Sequence, residues 1–115
     1  MPSSEPVRLA VDLGASSGRV VAGAFDGQQL AIREIHRFDN GPTQVAGHLY
    51  WDVLHLWDSI QEGLRATVAE VGSDGVLSVG VDTWGVDFGL VGRGDELLGN
   101  PYHYRDHRTA GMMER

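Results

Sequence analysis

The chain has 115 residues, 42% apolar and 22% charged, a composition that fits one folded domain and not a disordered segment. Nine arginines, no lysine and sixteen acidic residues leave a net charge of −7 with no basic run, which excludes nucleic acid as the expected partner. The absence of cysteine rules out disulfides, thiolate zinc sites and cysteine nucleophiles, and no apolar run approaches the ~18 residues of a membrane helix, so the expectation is a cytoplasmic protein without a membrane partner.

Residues 1–6 read as a disordered lead-in, and 7–115 as the folded part. Val7 to Leu13 is an apolar run with the pattern of a buried strand. A loop of small residues follows at 14–18, and Arg19 to Phe25 predicts a second strand. Asp26-Gly27 predicts a two-residue hairpin, because both positions tolerate positive φ. Gln28 to Phe38 predicts a third strand, with a bulge or bend where the apolar parity shifts between Ile32 and Ile35.

Residues 39–48 read as a loop. A helix is expected from Trp51 or Asp52 to about Val71, burying Val53, Leu56 or Trp57, Ile60, Leu64 and Val68. Gly72 to Gly75 ends it. Val76–Val81 predicts a fourth strand, Val86–Val91 a fifth, and Glu96–Leu98 a short sixth after a turn at Arg93-Gly94-Asp95. From Asp106 onward the sequence is compatible with helix, and its stop at Arg115 without a cap implies a piece of a longer chain. Three strands on tight turns, a helix and a further strand make an α/β fold: an antiparallel meander, a crossover helix and a parallel strand joining beside the first.

Three stretches carry chemistry. Asp12-Leu13-Gly14-Ala15-Ser16-Ser17-Gly18-Arg19 links the first two strands. Small residues let a ligand approach the backbone, successive N–H groups can hold an anion, and Arg19 adds a guanidinium fork for phosphate oxygens. Asp12, at a strand end, can hold hydrated Mg²⁺. The plainer reading is a Gly-Ser hairpin with a capping Asp. The second stretch, Asp82-Thr83-Trp84-Gly85-Val86-Asp87-Phe88, delivers carboxylates, an indole and a glycine to a strand end, where open α/β sheets bind ligands. Its plainer reading makes Trp84 core and both Asp residues turn formers. The third, Tyr102 to Thr109, packs aromatic, cationic and acidic groups densely enough for hydroxyl recognition, or else starts a solvated helix with Asp106 as N-cap. The five histidines show no metal-ligand spacing and read as structural or surface.

Taken together, D-L-G-A-S-S-G-R at 12–19, R-E-I-H-R-F at 33–38, W-D-V at 51–53, D-T-W-G-V-D-F at 82–88 and Y-R-D-H-R-T at 104–109 resemble, in order and spacing, the N-terminal part of the FGGY carbohydrate kinase family in its rhamnulokinase branch. The resemblance covers nearly everything from Val7 to the end. It implies a partial lobe of the actin-like ATPase (ribonuclease H-like) fold, with ATP and sugar held between two lobes. It implies that Ala15, Ser16, Ser17, Gly18 and Arg19 bind ATP phosphates and that Asp12 places Mg²⁺. Gly85 would contact the sugar, with Trp84 and Asp87 near it and Tyr104 and Arg105 lining its pocket. The implied activity is phosphorylation of L-rhamnulose at the 1-hydroxyl. The family's general-base Asp falls beyond residue 115, as do the second phosphate loop and the adenosine pocket. The chain alone is therefore expected to be inactive, to need the C-terminal part of the kinase as its partner, and to self-associate through apolar surface. Two other readings stay open: a non-catalytic actin-like module that binds nucleotide or a protein, and a kinase of another ketose.

Overall fold

The computed structural model describes residues 5–115. Of the lead-in expected at 1–6, residues 1–4 lie outside the described residues, and Glu5 and Pro6 are exposed coil. Strands β1 (Val7–Leu13), β2 (Ser17–Phe25) and β3 (Leu30–Asp39) form the expected antiparallel meander. Helix α1 (Val53–Val71) leads through a 3-10 turn to β6 (Val76–Thr83), which joins β1 in parallel, so the sheet order is β3-β2-β1-β6. Between β3 and α1 lies a hairpin of β4 (Pro42–Val45) and β5 (His48–Trp51), in a stretch whose sequence reads as loop.

Alternation along β1 builds the core. Val7, Leu9, Val11 and Leu13 are buried beside Val20 and Ala22 of β2 and Phe38 of β3. The expected bulge is present: Val20 pairs with His36 and Val21 with Glu34, which leaves Ile35 as the extra residue on β3. The β2–β3 turn sits one residue later than Asp26-Gly27. Gly27 alone takes positive φ (99°), Asp26 N–H donates to Gln29 O, and the Asp26 carboxylate accepts from the N–H groups of Gln28 and Gln29. These two bonds hold the Asp26 carboxyl below its ordinary range.

Asp52 caps α1 by accepting from His55 N–H. The expected face is buried in part: Leu56, Ile60 and Leu64 pack half-buried against the core, as does Val71, while Trp57 and Val68 are exposed. The fully buried residues are the smaller Ser59, Gly63 and Thr67 beside them. The reason is close approach: a Cβ at Gly63 would drive into the Val20 side chain. Small residues form the contact line, and the large ones flank it.

After β6 the expected strands do not form. Val86–Val91 and Glu96–Leu98 meet only at an isolated bridge, Val91 to Leu97, on either side of the turn at Arg93–Asp95. The expected helix after Asp106 is two 3-10 turns, His107–Thr109 and Met112–Glu114.

Candidate functional site

β1 and β6 run parallel and end in register, Leu13 beside Thr83. The segments that follow them, the 14–16 turn and the 84–87 turn, therefore leave the sheet at one edge, the carboxyl edge where parallel sheets place ligands. Asp12 pairs with Arg19 across β1–β2 and with Asp82 across β1–β6, which puts all three on one face. Arg19 Nε lies 3.3 Å from Asp12 Oδ2.

The first turn is tighter than its sequence implies. Gly14 N–H donates to Ser17 O (3.0 Å), so Ala15 and Ser16 form the tip, and Ser17, Gly18 and Arg19 already belong to β2. The loop expected over 14–18 thus shrinks, and only its first part projects beyond the sheet. Gly18 is obligatory, since a Cβ there would meet the Phe38 ring. Sequence reasoning missed the residue that shapes the turn. Asn40 is buried, donates its backbone N–H to Ser16 O (3.0 Å), and donates Nδ2–H to Gly14 O (2.7 Å). Its only signal was an amide side chain just past a strand end.

At the second turn, Asp87 Oδ2 accepts from two indoles, Trp51 Nε1 (2.6 Å) and Trp84 Nε1 (2.9 Å), whose rings stack with centroids 4.1 Å apart. Trp84 therefore spends one face on Trp51 and packs against the core cluster, which limits the free face left for a sugar. Gly85 is exposed, and nothing lies within 4 Å of a Cβ built on it. Val86 holds φ 68°, an outlier for a β-branched residue.

The third stretch is laid along β5. Trp51 N–H donates to Pro101 O and His103 N–H to Leu49 O, both at 2.9 Å. Asp106 is the staple: its side chain, 1% exposed, accepts from Leu49 N–H (2.8 Å), Arg108 N–H (3.2 Å) and the His48 ring (3.0 Å). Burial pushes this carboxyl up, but the Leu49 N–H, the His48 ring and the Arg108 N–H together hold it down at about 2. His48 and His107 stack nearly parallel at 4.9 Å beside Asp106. A metal cannot lie in both ring planes of such a stack, so the trio reads as a tie between β5 and the 102–109 segment.

Trp84, Trp51, His103 and Tyr104 form one continuous aromatic stack. Across it, Asp87 and Tyr104 share a cavity of about 320 Å³ with Val86, His103, Asp106 and Arg108. Arg105 is not in that lining; its guanidinium sits over the Tyr104 ring at 5.3 Å.

No family model matches the chain. It is 49% identical over 106 residues to a rhamnulokinase of Bacteroides thetaiotaomicron and 43% identical over 110 residues to one of Mannheimia succiniciproducens, in each case over 92% of this chain. It spans only about a fifth of those relatives, 21% and 22% of their length. Crystal structures with the same fold include a carbohydrate kinase of Novosphingobium aromaticivorans (TM-score 0.72, 18% identity) and a xylulose kinase (0.73, 17%) and a gluconate kinase (0.74, 18%) of Lactobacillus acidophilus. Each match covers 95–96% of this chain and 22% of the other. The chain is a sequence relative of the rhamnulokinases and carries the mixed sheet of an actin-like ATPase lobe, as found in FGGY-type carbohydrate kinases.

Proposed function

We propose that residues 7–115 are part of the N-terminal lobe of an ATP-dependent sugar kinase that phosphorylates L-rhamnulose at its 1-hydroxyl. The observation that carries this reading is the shared edge: the Asp12–Arg19 turn and the Asp82–Asp87 turn emerge side by side from parallel strands. Phosphoryl transfer needs donor and acceptor held together, and positioning with charge stabilisation accounts for most of its catalysis. In this reading Ala15, Ser16, Ser17 and Arg19 serve the ATP phosphates while Gly18, seated against Phe38, lets β2 enter the sheet beside them, and Gly85, Trp84, Asp87, Tyr104 and Arg105 serve the sugar side.

Asp12 and Asp82 are neighbouring hard-oxygen donors on one face, the donor type Mg²⁺ takes while keeping several waters. Bound there, Mg²⁺ would neutralise phosphate charge. Arg19, paired with Asp12, fixes that carboxylate while offering its own cation to phosphate oxygens.

Incompleteness of the lobe has physical support. All of β6 except Val76 is exposed, including Leu77, Val79 and Val81. The radius of gyration is 17.7 Å, against about 13 Å for a compact chain of this length. The 115-residue chain alone is expected to show no turnover and to self-associate through this apolar strand.

ADP release by the full-length protein, measured against a panel of ketoses, tests the reading. L-rhamnulose should be the preferred acceptor; no ADP release with any ketose would leave the non-catalytic module as the better account. In the same assay Gly85→Val should raise the sugar KM with little change in kcat, because its side chain enters open space. Arg19→Ala should chiefly lower kcat.

A further inference from the structure

His103 is 2% exposed, and its two ring nitrogens are treated very differently. Nδ1 accepts the backbone N–H of Arg105 at 3.0 Å. Nε2 is buried and has no hydrogen-bond partner among the described residues. Desolvation lowers the ring's pKa, outweighing the nearby Asp87 carboxylate that favours the cation, with Arg105 adding to the lowering. The ring is therefore neutral at pH 7, and because Nδ1 accepts, the proton sits on Nε2. An unpaired buried N–H donor costs stability and calls for a partner.

The same cavity supplies the complement. His103 and Asp87 both line it, and both indoles on Asp87 use Oδ2, which leaves Oδ1 to accept. A hydroxyl group needs one acceptor for its proton and one donor for its oxygen. The cavity's third notable feature is Val86, whose strained backbone and almost wholly exposed side chain form the wall most able to give.

Resting on the sugar-kinase reading above, we infer that His103 Nε2–H is a positioning donor for one hydroxyl of a polyhydroxylated acceptor bound between the Val86 turn and the Tyr104–Arg108 segment, with Asp87 accepting that hydroxyl's proton. His103 thereby discriminates substrates carrying that hydroxyl from those lacking it. Stacking on Trp51 and Tyr104 locks the ring plane before binding; Nε2 itself is shielded, so the hydroxyl reaches it only as the Val86 wall yields.

The test uses the full-length protein and two substitutions that split the two nitrogens. His103→Asn keeps an acceptor for Arg105 N–H and loses the distal donor; His103→Gln restores a donor at the Nε2 position. His103→Asn should raise the ketose KM about tenfold, with kcat and the ATP KM within about twofold, and should lose the preference for L-rhamnulose over the deoxy analogue lacking the contacted hydroxyl. His103→Gln should recover most of the KM and the preference. A merely structural histidine would give two variants of reduced stability with the parental ketose KM, and that result overturns the proposal. Long-range ¹H–¹⁵N spectra of the unmutated protein serve as the second measurement, needed if a variant fails to fold. L-rhamnulose added alone should shift the His103 Nε2 resonance of an Nε2-protonated ring. A resonance unmoved at saturating ketose, or an Nδ1-protonated ring, overturns the inference. If no ketose is phosphorylated, the kinase reading fails by itself, and the shift on sugar addition still decides the role of His103.

Discussion

Two strands of the sheet lie side by side in parallel, share a register and differ completely in burial. Leu9 pairs with Val79 and Val11 with Val81, on the same face. Leu9 and Val11 are 4% and 1% exposed; Val79 and Val81 are 51% and 66% exposed. Sequence and strand geometry are alike, so the difference lies in the second layer. Helix α1 packs over β2 and β3 and covers β1, but among the described residues nothing covers β6. An apolar strand is a request for a covering layer, and here β6 is the strand without one.

Disrupting the covered part of the sheet should have the largest effect. Gly63→Leu places a side chain where Val20 already sits, and should cost about 3 kcal/mol, enough to unfold a marginal domain. Urea denaturation followed by far-UV circular dichroism reads it directly; a variant as stable as the parent would mean that α1 does not seat on β2 as described. Next, Val11→Ala should lose about 2 kcal/mol while Val81→Ala loses under about 0.5 kcal/mol in the isolated chain diluted until it is monomeric. Equal losses would show that β6 is covered in solution. In the full-length protein the proposed fold predicts that the Val81→Ala loss grows toward that of Val11→Ala.

The last effect is confined to acid. Asp106 has its folded pKa depressed to about 2, so its contribution is present above the unfolded value, about 3.9, and is lost as pH falls from there through the folded value. Unfolding monitored from pH 5 to pH 2 should steepen in that window, and Asp106→Asn should flatten it. An unchanged acid limb in Asp106→Asn would mean that the staple on Leu49 and Arg108 does not form.

What the sequence revealed follows the same division. β1, β2, β3 and α1 were legible because their apolar spacing reports a face that is actually buried. The parallel placement of β6 was legible from the strand–helix–strand order. Val86–Val91 looked like a strand for the same reason, but its apolar residues are exposed and meet no strand among the described residues. The β4–β5 hairpin went unseen because its turn places Ala46 (φ 50°) and Gly47 (φ 79°) at positive φ without the Asn-Gly or Asp-Gly pair that normally announces such a turn. The site motifs at 12–19 and 82–88 were visible as residues. Their tertiary partners were not: Asn40 carries no local pattern, and W-D-V at 51–53 gives no sign that Trp51 reaches Asp87, 36 residues away.

Asn40 also bears on how separable the 12–19 motif is. The turn's two inward carbonyls, Gly14 O and Ser16 O, are both held by a residue from the end of the third strand's neighbourhood. A peptide of residues 7–25 would contain every side chain of the motif and still lack the part that sets its shape. Transplanting the motif into another protein would therefore require the strand that follows it as well, and the smallest portable unit is the whole meander through Asn40.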